Sequence, residues 1–201
     1  MLKIHILPLG DYQTNCYIVH EENRNACFLI DPGYEPAIID AYLEEKGLTP
    51  EAIALTHCHF DHVGAVKDLV AQYDCKVYLC RKDLAMPPML TNGPLYYTDT
   101  YADGDTVTLA GIPVQVMETP GHTPGSVCLI AGDTMFSGDT LFAGSCGRTD
   151  FKGGDQQAMM ASLKKLGQLP GNLRVLPGHM EESTLDEERK WNPWMREALK
   201  A

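Results

Sequence analysis

The heptapeptide Thr56-His57-Cys58-His59-Phe60-Asp61-His62 holds three of the seven histidines of the chain. It follows the apolar run Ile53-Ala54-Leu55, which has the length and composition of a buried strand. Imidazole and carboxylate groups are the ligands that zinc, iron and manganese accept in proteins. The heptapeptide therefore offers a metal ion four donors: His57, His59, Asp61 and His62.

Three further donors follow other apolar runs, and each stands beside a glycine. His122 lies in Pro-Gly-His-Thr-Pro-Gly, Asp139 in Ser-Gly-Asp-Thr, and His179 in Pro-Gly-His. Ligand sites in layered α/β folds gather at the carboxyl ends of strands, and glycine lets the backbone turn sharply there. We therefore expect these three side chains to meet the donors of residues 57–62.

The composition is that of an ordinary globular protein. The 201 residues are 44% hydrophobic and 21% charged, which is enough for one sizeable core. No linker divides them, so a single domain over residues 1–201 is expected.

The net charge of −11 opposes binding to nucleic acid and to anionic membrane surfaces. Since the sequence starts without a signal peptide or a long apolar run, a cytoplasmic location is expected. Seven scattered cysteines without a Cys-x-x-Cys predict reduced core residues.

Strand and helix patterns alternate along the chain, which predicts a layered α/β fold. Predicted strands, besides residues 53–55, cover residues 27–30, 112–117, 127–130 and 173–176. Predicted helices cover Pro36–Lys46, His62–Tyr73 and a segment that Asp155 caps and Gly167 ends. The polar segment Tyr96–Asp105 is either a surface loop over a site or a plain connection. Trp191 and Trp194 either pack on the core, which we favour, or form an interface.

The seven donors, in this order and spacing, resemble the metallo-β-lactamase superfamily, and the resemblance extends over nearly the whole chain. It implies a four-layer αβ/βα sandwich with the site on one edge. It also implies two divalent metal ions, zinc foremost, with iron and manganese also suited to these ligands. One ion would be held by His57, His59 and His122. The other would be held by Asp61, His62 and His179, with Asp139 bridging both.

Within the superfamily the chain is most similar to the glyoxalase II-like branch, through residues 121–126, 138–151, 188–189 and 192–194. The full-length enzymes add a C-terminal helical domain that helps to hold glutathione, but only 22 residues follow His179 here. Where those enzymes have a glutathione-binding lysine, this chain has Arg148. Arg148 either binds a substrate carboxylate or pairs with Asp150 or Asp155.

The resemblance implies a dinuclear metal-dependent hydrolase of small-molecule thioesters such as S-lactoylglutathione, which gives lactate and glutathione, with Asp61 and Asp139 as catalytic residues. Paired ions lower the pKa of a bound water towards about 7, so a protein nucleophile is unnecessary. A thiol leaves without a proton donor, and beyond the predicted ligands the motifs contain no histidine or tyrosine to act as one. Cys58 and Cys146 are interpreted as packing residues.

Three alternatives stay open at this point. Residues 147–151 also resemble those of persulfide dioxygenases, which would need a single iron, on His57, His122 and Asp139. A hydrolase of a lactone or another ester would use the same ligands. A metal-binding protein without turnover is the third. The sequence settles neither the metal nor the oligomeric state.

Overall fold

Two six-stranded β-sheets lie face to face, and helices cover the outer face of each. The computed structural model describes residues 1–200. The inner core between the sheets is built from side chains of both, among them Tyr17, Phe28, Val114 and Phe136, each at most 2% exposed. The order of layers is therefore helix, sheet, sheet, helix, which confirms the predicted four-layer sandwich.

The first sheet takes all its strands from the first half of the chain. Its spatial order is β1-β2-β3-β4-β5-β6. The strands β1 to β3 pair antiparallel, and β3 to β6 pair parallel. Their bounds are Leu2–Leu9, Thr14–Glu21, Ala26–Ile30, Thr49–Ala54, Lys76–Cys80 and Asp99–Tyr101.

The second sheet takes all its strands from the second half. Its order is β14-β13-β10-β9-β8-β7, and only β10 and β13 pair parallel. A separate hairpin of β11 and β12 follows β10. The bounds of β7 to β14 are Thr106–Leu109, Ile112–Glu118, Val127–Ala131, Thr134–Gly138, Leu141–Phe142, Ser145–Cys146, Arg174–Pro177 and Ser183–Thr184.

Helices pack on each sheet through an apolar face. Ile39 and Leu43 of α1 and Leu69 of α3 bury themselves against the first sheet. Met159 of α5 and Met195 of α7 do the same on the second sheet. The helices α1 to α7 span Pro36–Lys46, Phe60–Val63, Val66–Tyr73, Pro88–Thr91, Gln156–Gly167, Leu185–Trp191 and Pro193–Ala198, with a 3-10 turn at Arg81–Ala85.

The predicted helix over His62–Tyr73 is divided into α2 and α3. The amide of Ala65 donates to the carbonyl of Pro32, 3.0 Å away, and so leaves the helical ladder. A side chain at Gly64 would overlap the carbonyl oxygen of Gly33. The break therefore comes from the loop after β3, which lies far away in sequence. The other predicted strands and helices are confirmed within a few residues, and Asp155 caps α5 by accepting from the amide of Ala158.

Two expectations about surface segments need correction. The segment Tyr96–Asp105 contains β6 at the edge of the first sheet. Trp191 and Trp194 do not pack on the core, because 66% and 43% of their surface is exposed. Leu185, Met195 and Ala198 fill the core below α6 and α7 instead.

All seven cysteines are free thiols in the structure, and all but the half-buried Cys146 are buried, so the core position predicted for most of them is confirmed. Over residues 1–200, no helix has the length and apolar character needed to cross a membrane.

Candidate metal centre

The structure brings all seven predicted donors together at one edge of the sandwich. The segment His57–His62 leaves β4 of the first sheet and enters α2. His122 follows β8, Asp139 follows β10, and His179 follows β13, so these three come from the second sheet. Both sheets thus contribute to one site, at the carboxyl ends of the strands that carry it.

The first group of donors consists of His57, His59 and His122, all buried. One donor atom from each lies within 4.8 Å of the other two. His59 Nδ1 is 2.8 Å from His122 Nε2. Three imidazoles at this separation form a compact cluster of the kind that binds a divalent transition metal.

The second group consists of Asp61, His62 and His179, again with one donor atom each within 4.8 Å of the others. The Nε2 atoms of His62 and His179 are 3.3 Å apart. Asp61 Oδ2 lies 3.3 Å from His179 Nε2 and 3.6 Å from His62 Nε2. This group is a second compact set of donors beside the first.

The carboxylate of Asp139 lies between the two groups. Its Oδ2 atom is 3.4 Å from His122 Nε2 in the first group. Its Oδ1 atom is 3.4 Å from His62 Nε2, and Oδ2 is 3.6 Å from His179 Nε2, both in the second group. Asp139 therefore faces donors from both groups with its two oxygens.

The ring nitrogens on the far side of four of the histidines are hydrogen-bonded. Nδ1 of His57 lies 3.1 Å from Thr56 Oγ1, and Nδ1 of His62 lies 2.8 Å from Asp31 Oδ2. The other two partners are the backbone carbonyls of Arg148 and Tyr12, at 2.8 Å from His122 Nδ1 and 3.0 Å from His179 Nδ1. Such outer partners fix the orientation of a ring, and they leave Nε2 free to bind a metal when Nδ1 carries the proton.

Three buried polar atoms at this site lack a hydrogen-bond partner within the described residues: His57 Nε2, His59 Nε2 and Asp139 Oδ1. An unpaired buried acceptor is costly, so a native structure normally provides a partner for it. His57 Nε2 belongs to the first donor group and Asp139 Oδ1 to the carboxylate between the groups, and a cation would satisfy both atoms. The donor chemistry thus fits divalent metal ions.

A sequence profile of the metallo-β-lactamase superfamily matches residues 9–179. The chain belongs to this superfamily. Membership of this superfamily of metallo-hydrolases supports a metal-dependent hydrolase, and the seven potential metal ligands at the sheet edge agree with it.

Curated relatives within the superfamily match almost end to end. A probable metallo-hydrolase of Bacillus subtilis, YqgX, is 36% identical over 96% of this chain and 98% of its own length. The hydroxyacylglutathione hydrolase GloC of Haemophilus influenzae is 31% identical over 96% of this chain and 98% of its own length.

Solved structures of the superfamily superpose closely. The B3 metallo-β-lactamase BLEG-1 has a TM-score of 0.89 and 33% identity, covering 97% of this chain and 99% of its own. A di-iron form of TTHA1623 has a TM-score of 0.83 and 40% identity, covering 94% and 99%. ETHE1 from Myxococcus xanthus has a TM-score of 0.83 and 30% identity, covering 95% and 83%.

The electrostatics of the two donor groups differ in this superfamily member. Burial and the neighbouring imidazoles hold the pKa of His57 well below its usual range, and they lower the pKa of His59 to about 4. For His62, burial opposes the charge, but the carboxylates of Asp139 and Asp31 outweigh it and raise the pKa to about 9. In the absence of metal, His57 and His59 are therefore neutral at pH 7, whereas His62 carries a proton.

Asp61 and His179 shift each other's pKa in opposite directions. Burial opposes the charge of Asp61, yet the hydrogen bond from His179 and the charge of His62 bring the pKa of this carboxyl well below its usual range. Burial also opposes the charge of His179, and the bond to Asp61 together with Asp139 raises its pKa. The second group thus holds protons that a metal must displace.

Two buried aspartates beneath the site were missed in the sequence analysis. Asp31 accepts from Thr56 N at 2.8 Å, from Thr56 Oγ1 at 2.6 Å and from His62. Asp83 accepts from Cys58 N, Thr123 Oγ1 and Gly125 N at 3.0, 3.0 and 2.7 Å, and so ties the loop after β4 to the loop after β8. Asp31 follows a predicted strand directly, and this position was the available signal.

Gly178 is required by the packing of the second group. A side chain at this position would overlap the carboxylate of Asp139 and would also meet the ring of His62. The glycine beside His179 is therefore required by close packing rather than by a positive φ, which Gly121 and Gly138 adopt but Gly178 does not.

A cleft of about 510 Å³ opens over the donors. His59, Asp61, His122, Asp139 and His179 lie on its floor. Its remaining lining residues are Tyr12, Phe60, Leu90, Phe142, Ser145, Cys146, Arg148, Phe151 and Met180. Of the two alternatives for residues 96–105, the structure does not support a loop over the site, because none of these residues is among those that line this cleft.

The structure shows the surroundings of three further residues discussed in the sequence analysis, Arg148, Cys58 and Cys146. Arg148 lines the cleft, and its guanidinium pairs with Asp150 rather than with Asp155. Cys58 is buried, and burial raises the pKa of its thiol. Burial raises the pKa of Cys146 to about 11, so neither thiol is activated.

Tyr12 was also missed. The recognised motifs contain no tyrosine, but this side chain from the β1–β2 loop reaches the cleft and stacks edge-on against Phe60. No sequence pattern predicted its position, since its approach to the cleft depends on how the loop between two paired strands lies over α2.

Proposed function

We propose that the protein is a dinuclear thioester hydrolase that acts on hydroxyacylglutathione-like thioesters such as S-lactoylglutathione. The observation that supports this most is the position of Asp139, whose two oxygens lie 3.4 Å from His122 Nε2 and 3.4 Å from His62 Nε2. One carboxylate facing two complete donor groups is the arrangement of a shared bridging ligand.

In this proposal the first group, His57, His59 and His122, holds one divalent ion, zinc foremost. Asp61, His62 and His179 would hold the second, and Asp139 would be shared between the two. Bound as a pair, such ions supply a nucleophile from water at neutral pH and polarise a carbonyl oxygen. A structure of TTHA1623, which is 40% identical to this chain, is in a di-iron-bound form, and this supports a site for two metal ions. It also makes iron a candidate metal in addition to zinc.

Asp61 and Asp139 are the proposed catalytic residues of the chain itself. Asp61 stays ionised at neutral pH because the His179 hydrogen bond and the His62 charge outweigh its burial. Its ionised Oδ2 therefore serves as a ligand and as a hydrogen-bond acceptor for water at the floor of the cleft. The buried Oδ1 of Asp139 has no protein hydrogen-bond partner among the described residues, so it is free for a ligand role.

A thioester fits the rest of the cleft better than an amide does. A thiol of ordinary pKa leaves as a thiolate, whereas an amine must be protonated first. Apart from the donors, Tyr12 is the lining side chain that most resembles a general acid. It is 60% exposed, and its hydroxyl lies outside the network of donors. The name of the Haemophilus influenzae relative, hydroxyacylglutathione hydrolase, favours the same class of substrate.

The test combines metal analysis with an assay of thiol release. Protein purified without chelator should contain about two metal ions per chain. It should release thiol from S-lactoylglutathione. Asp139→Ala should lose this activity, whereas Asp68→Ala, which removes an exposed carboxylate from α3, should keep it.

Other results would favour another reading. One iron per chain with oxygen uptake and no thiol release would overturn the proposal in favour of a persulfide dioxygenase. Residues 147–151 also resemble the corresponding residues of those enzymes. Two metals with hydrolysis of lactones but not of thioesters would keep the centre and replace the substrate.

A further inference from the structure

The wall of the cleft above the donors is apolar. Phe60, Leu90, Phe142, Phe151 and Met180 line it together with Tyr12. Three of these six side chains are exposed in spite of their size: Tyr12 at 60%, Met180 at 53% and Phe151 at 39%. An exposed apolar patch that surrounds a polar floor is typical of a surface that binds an apolar group.

Arg148 is the one Lys or Arg among the lining residues in the described chain, and its charge is already matched. Its Nε and Nη2 each lie 2.8 Å from an oxygen of Asp150, which makes the pair bidentate. Its guanidinium carbon also lies 3.7 Å from the ring centre of Phe151. The Nε–Nη2 edge of the guanidinium and one of its faces are therefore occupied by neighbours of the same loop.

The surroundings of the cleft do not favour anions either. The exposed Glu181 follows Met180 directly, and the chain as a whole carries a net charge of −11. A substrate group with carboxylates would meet no free cation on the cleft wall, and it would lose hydration against aromatic side chains.

We propose that this cleft selects thioesters whose group beyond the scissile bond is apolar and uncharged, and that Asp150 enforces the selection by occupying Arg148. The inference builds on the proposed thioester hydrolysis. It concerns the ranking of thioesters, so glutathione thioesters with free carboxylates are turned over less efficiently than neutral ones.

The kinetic test uses one thiol in two charge states. N-Acetyl-S-lactoylglutathione and its diethyl ester share the scissile bond and the leaving sulfur, and acetylation removes the ammonium charge from both. The ester is therefore neutral, because it also lacks both carboxylates, and it adds two apolar ethyl groups. Release of thiol isolates thioester cleavage from any cleavage of the ethyl esters. We expect kcat/KM to be about tenfold higher for the diethyl ester.

Removing Asp150 should shift this preference. Asp150→Asn frees Arg148 to pair with a substrate carboxylate, so the preference for the diethyl ester should fall by about tenfold. The matched control is Asp186→Asn, which removes a similarly exposed aspartate from its pair with Arg189 on α6, outside the cleft. The control has the same change in net charge and should keep the wild-type ratio. In the double variant Arg148→Gln with Asp150→Asn, the shift should disappear.

A binding measurement separates the two proposals. N-Acetyl-S-benzylglutathione and its neutral diethyl ester are thioethers that no hydrolase of thioesters can cleave, and calorimetry gives their affinities directly. Tighter binding of the diester with no thioester cleavage would refute the proposed function and keep the selectivity. Efficient cleavage with a preference for the free diacid, or an Asp150→Asn ratio equal to that of wild type, would refute the selectivity and keep the function.

Discussion

The Asp31 carboxylate holds the His62 ring from behind, with Oδ2 2.8 Å from Nδ1. The same carboxylate accepts from the amide and the hydroxyl of Thr56, the residue before His57. Asp31 itself has a left-handed backbone with φ of 50°, an unusual conformation for aspartate that its three hydrogen bonds help to maintain. One aspartate thus orients side chains of both donor groups from beneath.

Asp31→Asn should weaken metal binding by about tenfold to 100-fold, since loss of an outer hydrogen bond to a ligating histidine has effects of that size. The second donor group should suffer more than the first, because His62 loses its direct partner. Competition with a chromophoric chelator measures this affinity, and Asp68→Asn is the matched surface control. Equal affinities in the variant and in wild type would show that Asp31 does not support the metal.

Metal uptake by the second donor group should depend on pH more steeply than uptake by the first. Burial opposes the charge of His62, but Asp139 and Asp31 raise its pKa to about 9, so a metal must displace a proton at neutral pH. His59, with a pKa of about 4, is already neutral. Affinity for the second ion should therefore rise between pH 6.5 and 9, by up to about tenfold per pH unit for each proton displaced.

Calorimetry in buffers of different ionisation enthalpy counts the protons released with each ion. The metal-free protein provides an independent readout, because a raised histidine pKa stabilises the fold most below pH 6.5. This contribution should be lost as the pH rises through about 9, whereas it should be hidden when metal is bound. Identical pH profiles for both ions would contradict this division of the site.

Asp83→Ala should lower the free energy of unfolding by about 2–4 kcal/mol, because it removes the acceptor for two buried amides and one hydroxyl. The loss should appear in denaturant titrations of metal-free protein. Asp68→Ala, at an exposed site, should stay within about 0.5 kcal/mol of wild type. A similarly small effect of Asp83→Ala would mean that the two loops are held by other contacts.

Tyr12→Phe should leave the turnover of thioesters within about twofold of wild type, since a thiolate needs no proton to leave. The substitution keeps the ring that contacts Phe60 and the backbone carbonyl that contacts His179. A drop of more than about tenfold in kcat, with a shifted alkaline limb of the pH profile, would instead assign Tyr12 as a general acid.

The seven donors could be predicted from the sequence because each stands in a recognisable place, directly after an apolar run and within a cluster or beside a glycine. Asp31 and Asp83 could not be predicted as readily, since each is a single carboxylate among 27 acidic residues. Their roles depend on which loops lie opposite them. The position of Arg148 was predictable, but its partner depended on the local turn that brings Asp150 to its guanidinium.

The tryptophans near the end show the same limit on the fold. An aromatic residue near an apolar helix face predicts burial, but the core below α6 and α7 is already filled by Leu185, Met195 and Ala198. The outward positions of Trp191 and Trp194 follow from the docking angle of two short helices, which no local pattern encodes.

Each sheet is formed by one continuous half of the chain, and the exposed tetrapeptide 102–105 joins the halves. The first half carries four of the donors and the second carries three. Neither half alone contains a complete set for two ions with their bridge. A chain cut within this tetrapeptide would therefore provide a pair of fragments whose reassembly and metal capture are thermodynamically linked, so that added metal would draw the two fragments together.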